Sequence, residues 1–176
     1  MQMPARRSMV NRMKGAAMLD VQTYEEVEAD STATGQAAAV VLIVAVAQAI
    51  GGVAYGDLRI VGAAVAAVVG WLLWSGITYL IGDKLLGGTA TWGELLRTIG
   101  FAQTPGILGV LGGIPLLGWF VRIVVFVWLL IAGIIAIRQA LDFSTGKAIV
   151  TAVVGWLALA ALSLILGVGR LGGFGG

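Results

Sequence analysis

Residues that commonly carry out catalysis or bind metals are scarce in this chain. It contains neither His nor Cys, which excludes imidazole acid–base chemistry, thiolate nucleophiles and most zinc sites. The centres of its apolar stretches hold no Asp, Glu or Lys, so neither a carboxylate pair nor a metal site can be assembled there. Ser75 and Ser163 have no base at helical spacing. We therefore expect no enzyme, and no catalytic, cofactor-binding or metal-binding residues.

Five polar residues within or beside the apolar stretches each have a functional and a structural interpretation. Gln48, Gln103 and Thr104 either line a path for a substrate or form hydrogen bonds between helices. Arg122 is either a functional buried charge or a side chain that extends to the lipid headgroups. Glu94 is either a proton carrier or part of a helix cap. We favour the structural interpretation for all five, because local patterns explain them without a substrate.

The composition indicates an integral membrane protein. Of the 176 residues, 59% are hydrophobic and 11% are charged, and the mean hydropathy is +0.99. A soluble domain has about a quarter charged residues, so lipid must be the solvent for most of this chain. The net charge of +2 and the lack of a basic run predict no binding to nucleic acid.

Five apolar stretches predict an all-α transmembrane bundle. A cytoplasmic segment covers residues 1–34, the membrane domain 35–168, and a flexible tail 169–176. Eight of the 11 Lys and Arg residues fall on the N-terminal side of the membrane, which predicts a cytoplasmic N-terminus and an outside C-terminus. The predicted spans are residues 36–54, 60–81, 99–114, 118–137 and 148–167.

The N-terminal segment divides into a basic part and an acidic part. Residues 1–18 hold four basic residues and no acid. Met9, Val10, Met13 and Ala16 share a helical face, which predicts either a helix at the membrane surface or a loosely ordered tail, although Arg6 falls on the same face. In the acidic part, Thr23-Tyr24-Glu25-Glu26 fits a capping box with Thr23 at the N-cap, so a short helix is expected from Tyr24 to about Asp30.

The stretch from Trp71 to Pro105 contains more local signals for structure than any other part of the sequence. Trp71 and Trp74 lie near the middle of a span and are predicted to pack between helices. A turn at 83–90 contains Gly87-Gly88, and Thr91 with Glu94 forms a second capping box that opens a helix from about residue 92. This helix bends at Pro105. It places Leu95, Leu96 and Ile99 on one side and the candidate partner contacts Glu94, Arg97 and Thr98 on the other.

Several short segments follow one another in a recognisable order and spacing. They are Thr23–Asp30 and Ala33–Ala37, Thr78–Gly82, Gly87-Gly88 with Thr91-Trp92 and Glu94-Leu95-Leu96, Gly100-Phe101-Ala102 with Pro105, and Ser144–Ala148, in which Ser144 is the predicted N-cap of the fifth span. In their order and spacing these segments, which cover residues 19–168, resemble the prokaryotic branch of the Yip family, the five-span membrane proteins whose eukaryotic members interact with Rab GTPases.

The resemblance implies the five-span fold and a non-enzymatic role as a membrane-organising or partner-binding component, or as an accessory subunit of a larger complex. The expected partners are the lipid bilayer and either other membrane proteins or further copies of the chain, in a bacterial cytoplasmic membrane. Rab binding does not transfer, because the Asp-Leu-Tyr-Gly-Pro stretch of eukaryotic members is missing from this sequence. The alternative is a small transport or permeation component that uses the broken third span.

Overall fold

The structure, a computed structural model, describes residues 7–53 and 60–165, with side chains described as far as residue 161. Two short helices precede a set of longer, apolar ones. The helices are α1 (Met9–Ala17), α2 (Val21–Ala29), α3 (Thr34–Gly52), α4 (Ile60–Tyr79), α5 (Trp92–Ala102), α6 (Leu117–Ala140) and α7 (Thr145–Ile165).

The two short helices form an antiparallel pair, which we call the N-terminal hairpin. α2 begins at Val21 with Asp20 as its N-cap, and the Asp20 side chain accepts from the backbone N–H of Gln22 at 3.3 Å. The prediction that Thr23 is the N-cap is therefore wrong. Asp20 is an equally good capping residue, and it begins the helix early enough to place Thr23 inside it, fully buried.

The first helix packs against protein. Ala16 is fully buried, and Met9 and Met13 contact the hydrophobic core. Of the two predictions for this part of the chain, the helix at Met9–Ala17 is therefore present and a loosely ordered tail is wrong. Val10 points outward and is 69% exposed. Arg6 lies outside the described residues.

The tip of the hairpin lies beside the middle of a long helix. The indole nitrogen of Trp128, the twelfth of 24 residues in α6, donates to the carbonyl oxygen of Ala17 at 2.8 Å. The next residue, Met18, is 69% exposed. The hairpin therefore extends along the side of the bundle as well as covering its end.

Three helical stretches of the described chain are long and apolar enough to cross a membrane: Ser31–Gly52, Ile60–Leu85 and Leu117–Ala140. They correspond to the first, second and fourth predicted spans. The second is longer than predicted, because α4 continues as a π-helical turn at Leu80–Leu85, so the following turn begins at Leu86. Residues 54–59, the end of the fifth span at 167 and the tail at 169–176 lie outside the described residues.

The third apolar segment changes helix type. α5 ends at Ala102, and a 3₁₀ helix follows at Thr104–Gly113, which we call the 3₁₀ segment. Pro105 lies in the first turn of the 3₁₀ segment, where its missing N–H costs no hydrogen bond. The predicted bend is thus a switch from α to 3₁₀ geometry. With rises of 1.5 and 2.0 Å per residue, α5 and the 3₁₀ segment together span about 36 Å.

The third segment, which is α5 followed by the 3₁₀ segment, runs parallel to α3. Residues further along the third segment contact residues further along α3. Gly100 faces Ala37, and Gly106 faces Val44. A Cβ on Gly100 would lie 2.8 Å from the Cβ of Ala37, and one on Gly106 would lie 2.7 Å from Cγ1 of Val44. Such close approach of backbones is how helices pack in lipid.

Two contacts close the bundle at the end that carries the hairpin. Trp71 is 5% exposed, and its indole nitrogen donates to the carbonyl oxygen of Leu96 at 3.0 Å, which confirms its packing role and ties α4 to α5. Gly82 and Gly88 lie under the side chain of Leu141. Gly87 has a φ of 72°, a conformation that glycine adopts at little cost.

Candidate functional site

The start of α5 confirms the predicted capping box. The Thr91 hydroxyl accepts from the backbone N–H of Glu94 at 3.3 Å, and the backbone N–H of Thr91 donates to Oε2 of Glu94 at 2.7 Å. Both groups thereby satisfy donors that a helix N-terminus leaves unpaired. Glu94 is half-buried.

Arg97 does not face solvent. It is 7% exposed, and its Nε donates to the carbonyl oxygens of Val27 at 2.9 Å and Glu28 at 3.0 Å. The Nη2 group also donates to the Glu28 carbonyl. These carbonyls belong to the last turn of α2, which has no helical partners for them and carries the negative end of the helix dipole. Arg97 therefore acts as a C-terminal cap for a helix far away in the sequence.

Thr98 is also interior. It is fully buried, and its hydroxyl donates to the carbonyl oxygen of Glu94 at 3.0 Å. The prediction that Glu94, Arg97 and Thr98 form an exposed face of α5 is thus wrong for Arg97 and Thr98. The polar side of α5 was expected to meet water, but it meets the backbone and the polar groups of α2 instead.

A buried arginine holds the hairpin together, and the sequence interpretation did not identify it. Arg12 is 1% exposed, and its Nη2 lies 2.9 Å from Oε1 of Glu26 and 2.8 Å from Oδ2 of Asp30. Its Nη1 donates to the side-chain oxygen of Gln36 at 3.1 Å. The available signal was the order of charges, because four basic residues within 1–18 precede the acidic residues of 20–30 and form the complementary half of one hairpin. The basic part was instead predicted to be a helix at the membrane surface or a loosely ordered tail.

Arg7 adds a second, half-exposed set of ion pairs to the same hairpin. Its guanidinium lies 3.1 Å from Oδ2 of Asp20 and 3.2 Å from Oε2 of Glu26. A hydrogen bond from the hydroxyl of Thr23, followed by one from Arg7, holds the pKa of Asp20 below its usual value. Charge and hydrogen bonding therefore both favour the folded hairpin at neutral pH.

Four carboxylates remain accessible where the hairpin meets the bundle, and we call them the acidic surface: Glu25, Glu28, Glu94 and Asp142. Burial, then the charges of Glu94 and Asp142, raise the pKa of Glu28 to about 7, with Glu25 adding to the effect and Arg97 opposing it. Gln139 donates to Glu25 at 3.1 Å, and Thr89 donates to Asp142 at 2.7 Å.

The polar residues of the third segment are used locally. The Thr104 hydroxyl donates to the carbonyl oxygen of Phe101 at 2.7 Å, so the expected hydrogen bond between helices is replaced by one within the segment. Gln103 is half-buried at the end of α5. Ser75 and Thr78 are buried in α4, and their hydroxyls have no partner among the described residues. The side chain of Ser163 lies outside the described residues.

Gln48 is the polar residue that two cavities share. A cavity of about 470 Å³ lies between α3 and α4, and one of about 330 Å³ lies between α3, the 3₁₀ segment and α6. Gln48 lines both, and Arg122 lines the second. Arg122 is exposed in the second turn of α6, and its Nε lies 3.6 Å from the position of a Cβ on Gly112.

We predict that Arg97→Gln destabilises the docking of α2. The two carbonyls would lose charge-assisted bonds in a buried site, at a cost of about 2–3 kcal/mol. Amide hydrogen exchange should therefore rise across α2, and the thermal midpoint in detergent should fall. Arg138→Gln is the control, because Arg138 is half-buried and its side chain bonds only to the adjacent Gln139 among the contacts described. Unchanged exchange in α2 would contradict the capping role.

We also predict a pH dependence that originates at Glu28. Its pKa is about 7 in the folded state and 4.5 ordinarily, so the folded state binds this proton more tightly than the unfolded chain. The stability from this group is complete below about pH 4.5 and is lost as the pH rises to about 7. Glu28→Gln should raise the thermal midpoint at pH 7.5 and flatten its dependence on pH over this range.

Glu25→Gln is the matched control, since Glu25 is exposed and its loss should leave most of the slope in place. The pKa of Asp20 is lowered in the folded state, so its contribution to stability is lost as the pH falls below this window, which is the opposite dependence. Parallel pH profiles for the wild type and Glu28→Gln would refute the assignment.

Comparison with known proteins adds a family. No curated protein and no solved structure matches the chain. The family model of the Yip1 domain matches residues 20–167, a region that contains Arg97, the acidic surface and α2 to α7, and leaves out α1. This extent is close to the one that the sequence resemblance indicated, and the apolar helices agree with a membrane protein. The chain belongs to the Yip1 domain family.

Proposed function

We propose that this protein is a five-span, non-enzymatic membrane component that organises the bilayer or binds other membrane proteins, as an accessory subunit of a larger complex. We place it in a bacterial cytoplasmic membrane with the N-terminal hairpin on the cytoplasmic side. The observation that carries this proposal is the fixed position of the hairpin, which Arg97 and Trp128 hold on the bundle.

The geometry of the third segment supports the five-span count. At about 36 Å, α5 and the 3₁₀ segment are long enough to cross a hydrocarbon core of about 30 Å. They run beside α3 in the same direction, so α3 and the third segment should cross the membrane in the same direction. The hairpin, the turn at 86–90 and the link at 141–144 would then share one side of the membrane.

Labelling of single cysteines tests this topology, because the natural chain contains none. Thr89 and Leu116 are exposed, and they flank the third segment. We expect Thr89→Cys to react with an impermeant maleimide only from the side of the N-terminus, and Leu116→Cys only from the opposite side. Lys14→Cys, in the exposed face of α1, marks the first side. Reaction of positions 89 and 116 from the same side would exclude a third span.

The hairpin supports a role in organising the membrane. Its tip reaches the level of mid-α6, and Val10 and Met18 point away from the protein with 69% of their surface exposed. Arg12, its buried charge, is paired with Glu26 and Asp30. An element with a buried ion pair, and with exposed apolar residues beside the exposed Lys14, is suited to contact lipid.

The acidic surface supports partner binding. Because the hairpin is fixed on α5 and α6, the carboxylates of Glu25, Glu28, Glu94 and Asp142 are held together before any partner arrives, which lowers the entropy cost of association. The complementary partner is a membrane protein that presents Lys or Arg side chains on the same side. Of the three residues predicted as contacts, Glu94 is the one that keeps this role.

We predict that Glu25→Gln combined with Glu94→Gln weakens partner recovery by about three- to tenfold, as expected for the loss of two accessible charges. Gln at position 94 preserves the capping box, so the thermal midpoint should stay within a few degrees of wild type. The measurement is quantitative affinity purification in mild detergent. Lys14→Gln, on the exposed face of α1, is the control. Equal recovery from all variants would oppose a binding role for this surface.

A transport or permeation component is the second candidate, and the two cavities on either side of α3 favour it. They share Gln48, the position at which a solute crossing between α3 and its neighbours would meet a polar side chain. The same preparations in vesicles discriminate between the two functions. A solute flux that Gln48→Leu abolishes would establish transport, whereas vesicles without flux and charge-dependent partner recovery would establish binding.

A further inference from the structure

The tip of the N-terminal hairpin lies halfway along the bundle. The carbonyl oxygen of Ala17 accepts from the indole nitrogen of Trp128, the twelfth of 24 residues in α6. The next residue of α6, Leu129, lies beside Gly106. Gly106 also lies beside Val44, which is the eleventh of 19 residues in α3. Two apolar helices therefore place the tip at the same level, near the middle of each.

This level is the centre of the membrane if the bilayer around the protein has a uniform thickness. Ala140, the last residue of α6, is 12 residues beyond Trp128, which is about 18 Å along the helix. Half of a hydrocarbon core is about 15 Å thick. The hairpin is held on the bundle by Arg97 and Trp128, so it cannot move to the membrane surface without losing these contacts.

The surface of the hairpin does not suit the centre of a bilayer. Val10 and Met18 are 69% exposed, but Lys14, which lies between them on the same face of α1, is exposed as well. Gln22, in the first turn of α2, is also exposed. A charged side chain at the centre of a bilayer is costly. A surface that mixes apolar and basic residues is instead stable at the boundary between headgroups and acyl chains.

A fixed element with this surface requires the lipid to adapt. Bilayers become locally thinner where the apolar length of a protein is shorter than the hydrocarbon core, and the same thinning accompanies charged side chains at depth. We propose that the hairpin thins the leaflet on its side of the membrane and draws the phospholipid headgroups beside α1 toward the level of Trp128. This inference deepens the proposed role in organising the bilayer and rests on it.

The thinning is confined to one flank of the bundle. The hairpin packs against α5, α6 and the 3₁₀ segment, whereas α4 packs against α3, α5 and α7. Ala45 and Ala67 line the same cavity, so the middle of α3 lies beside this part of α4. Val69 and Leu73, which follow on α4, are 47% and 45% exposed. Apolar side chains therefore meet lipid on this flank at the level where Lys14 and Met18 meet it on the other.

Spin labels on single cysteines measure the difference in depth between the two flanks. The natural chain contains no cysteine, so Met18→Cys and Val69→Cys each give one labelled site in the full-length protein. The protein is reconstituted in phosphatidylcholine vesicles, and depth is obtained from the collision rates of the label with oxygen and with a water-soluble nickel chelate. We expect the label at position 69 near the bilayer centre, about 15 Å below the headgroups, and the label at position 18 only about 5–10 Å below them.

Further arms keep the test decisive. Lys14→Cys is the second hairpin position if Met18→Cys fails to fold, and its label should collide readily with the nickel chelate. Equal depths at positions 18 and 69 would overturn the proposal, because the leaflet would then have a uniform thickness. A label at position 18 that behaves as in bulk water would also overturn it, since the hairpin would then contact no lipid.

The label at position 69 separates this failure from a failure of the proposed function. A deep label there, with position 18 equally deep or in water, overturns the thinning alone and leaves the membrane placement intact. A label at position 69 outside the acyl chains overturns both. Partner recovery through the acidic surface is measured independently of either label.

Discussion

The interaction between Arg97 and the last turn of α2 is the constraint on which the hairpin end of the molecule depends. The final carbonyls of a helix cannot be satisfied by the helix itself, and those of Val27 and Glu28 are bonded by a side chain from α5. α5 is fixed in turn by Trp71 of α4 and by close packing of Gly100 on Ala37. The position of the polar N-terminal hairpin is therefore set by its contacts with the apolar helices.

The sequence predicted the elements whose causes are local. The lengths of the apolar stretches predicted the long helices, and the capping box at Thr91 predicted the first residue of α5. Both signals depend on residues that are close in the sequence. At Thr23 the capping-box pattern predicted the wrong N-cap, because Asp20, three residues earlier, is the residue that caps α2. The environments of Arg12 and Arg97 could not be predicted this way. Each arises from a contact between distant segments, and an arginine on a polar helix face looks the same whether water or another helix covers it.

The third segment shows how a short, glycine-rich stretch can match longer neighbours. An α-helix over the predicted 16 residues at 99–114 would span about 24 Å, less than a hydrocarbon core. The 3₁₀ segment gains about 5 Å over ten residues through its larger rise. Its narrower cross-section, combined with glycine at positions 106 and 109, also brings the backbone close to α3. The same narrowing leaves the space that Gln48 and the adjoining cavity occupy.

The cap on α2 has a consequence for the order in which the molecule assembles. Val27 and Arg97 are 70 residues apart, and ribosomes add about 5–20 residues per second, so α2 exists for about 4–14 s before its cap is synthesised. During that interval the guanidinium that bonds its last carbonyls is not yet present. The hairpin can therefore take its final position only after α5 has been synthesised. The last step in building this end of the protein is thus the placement of its first helices.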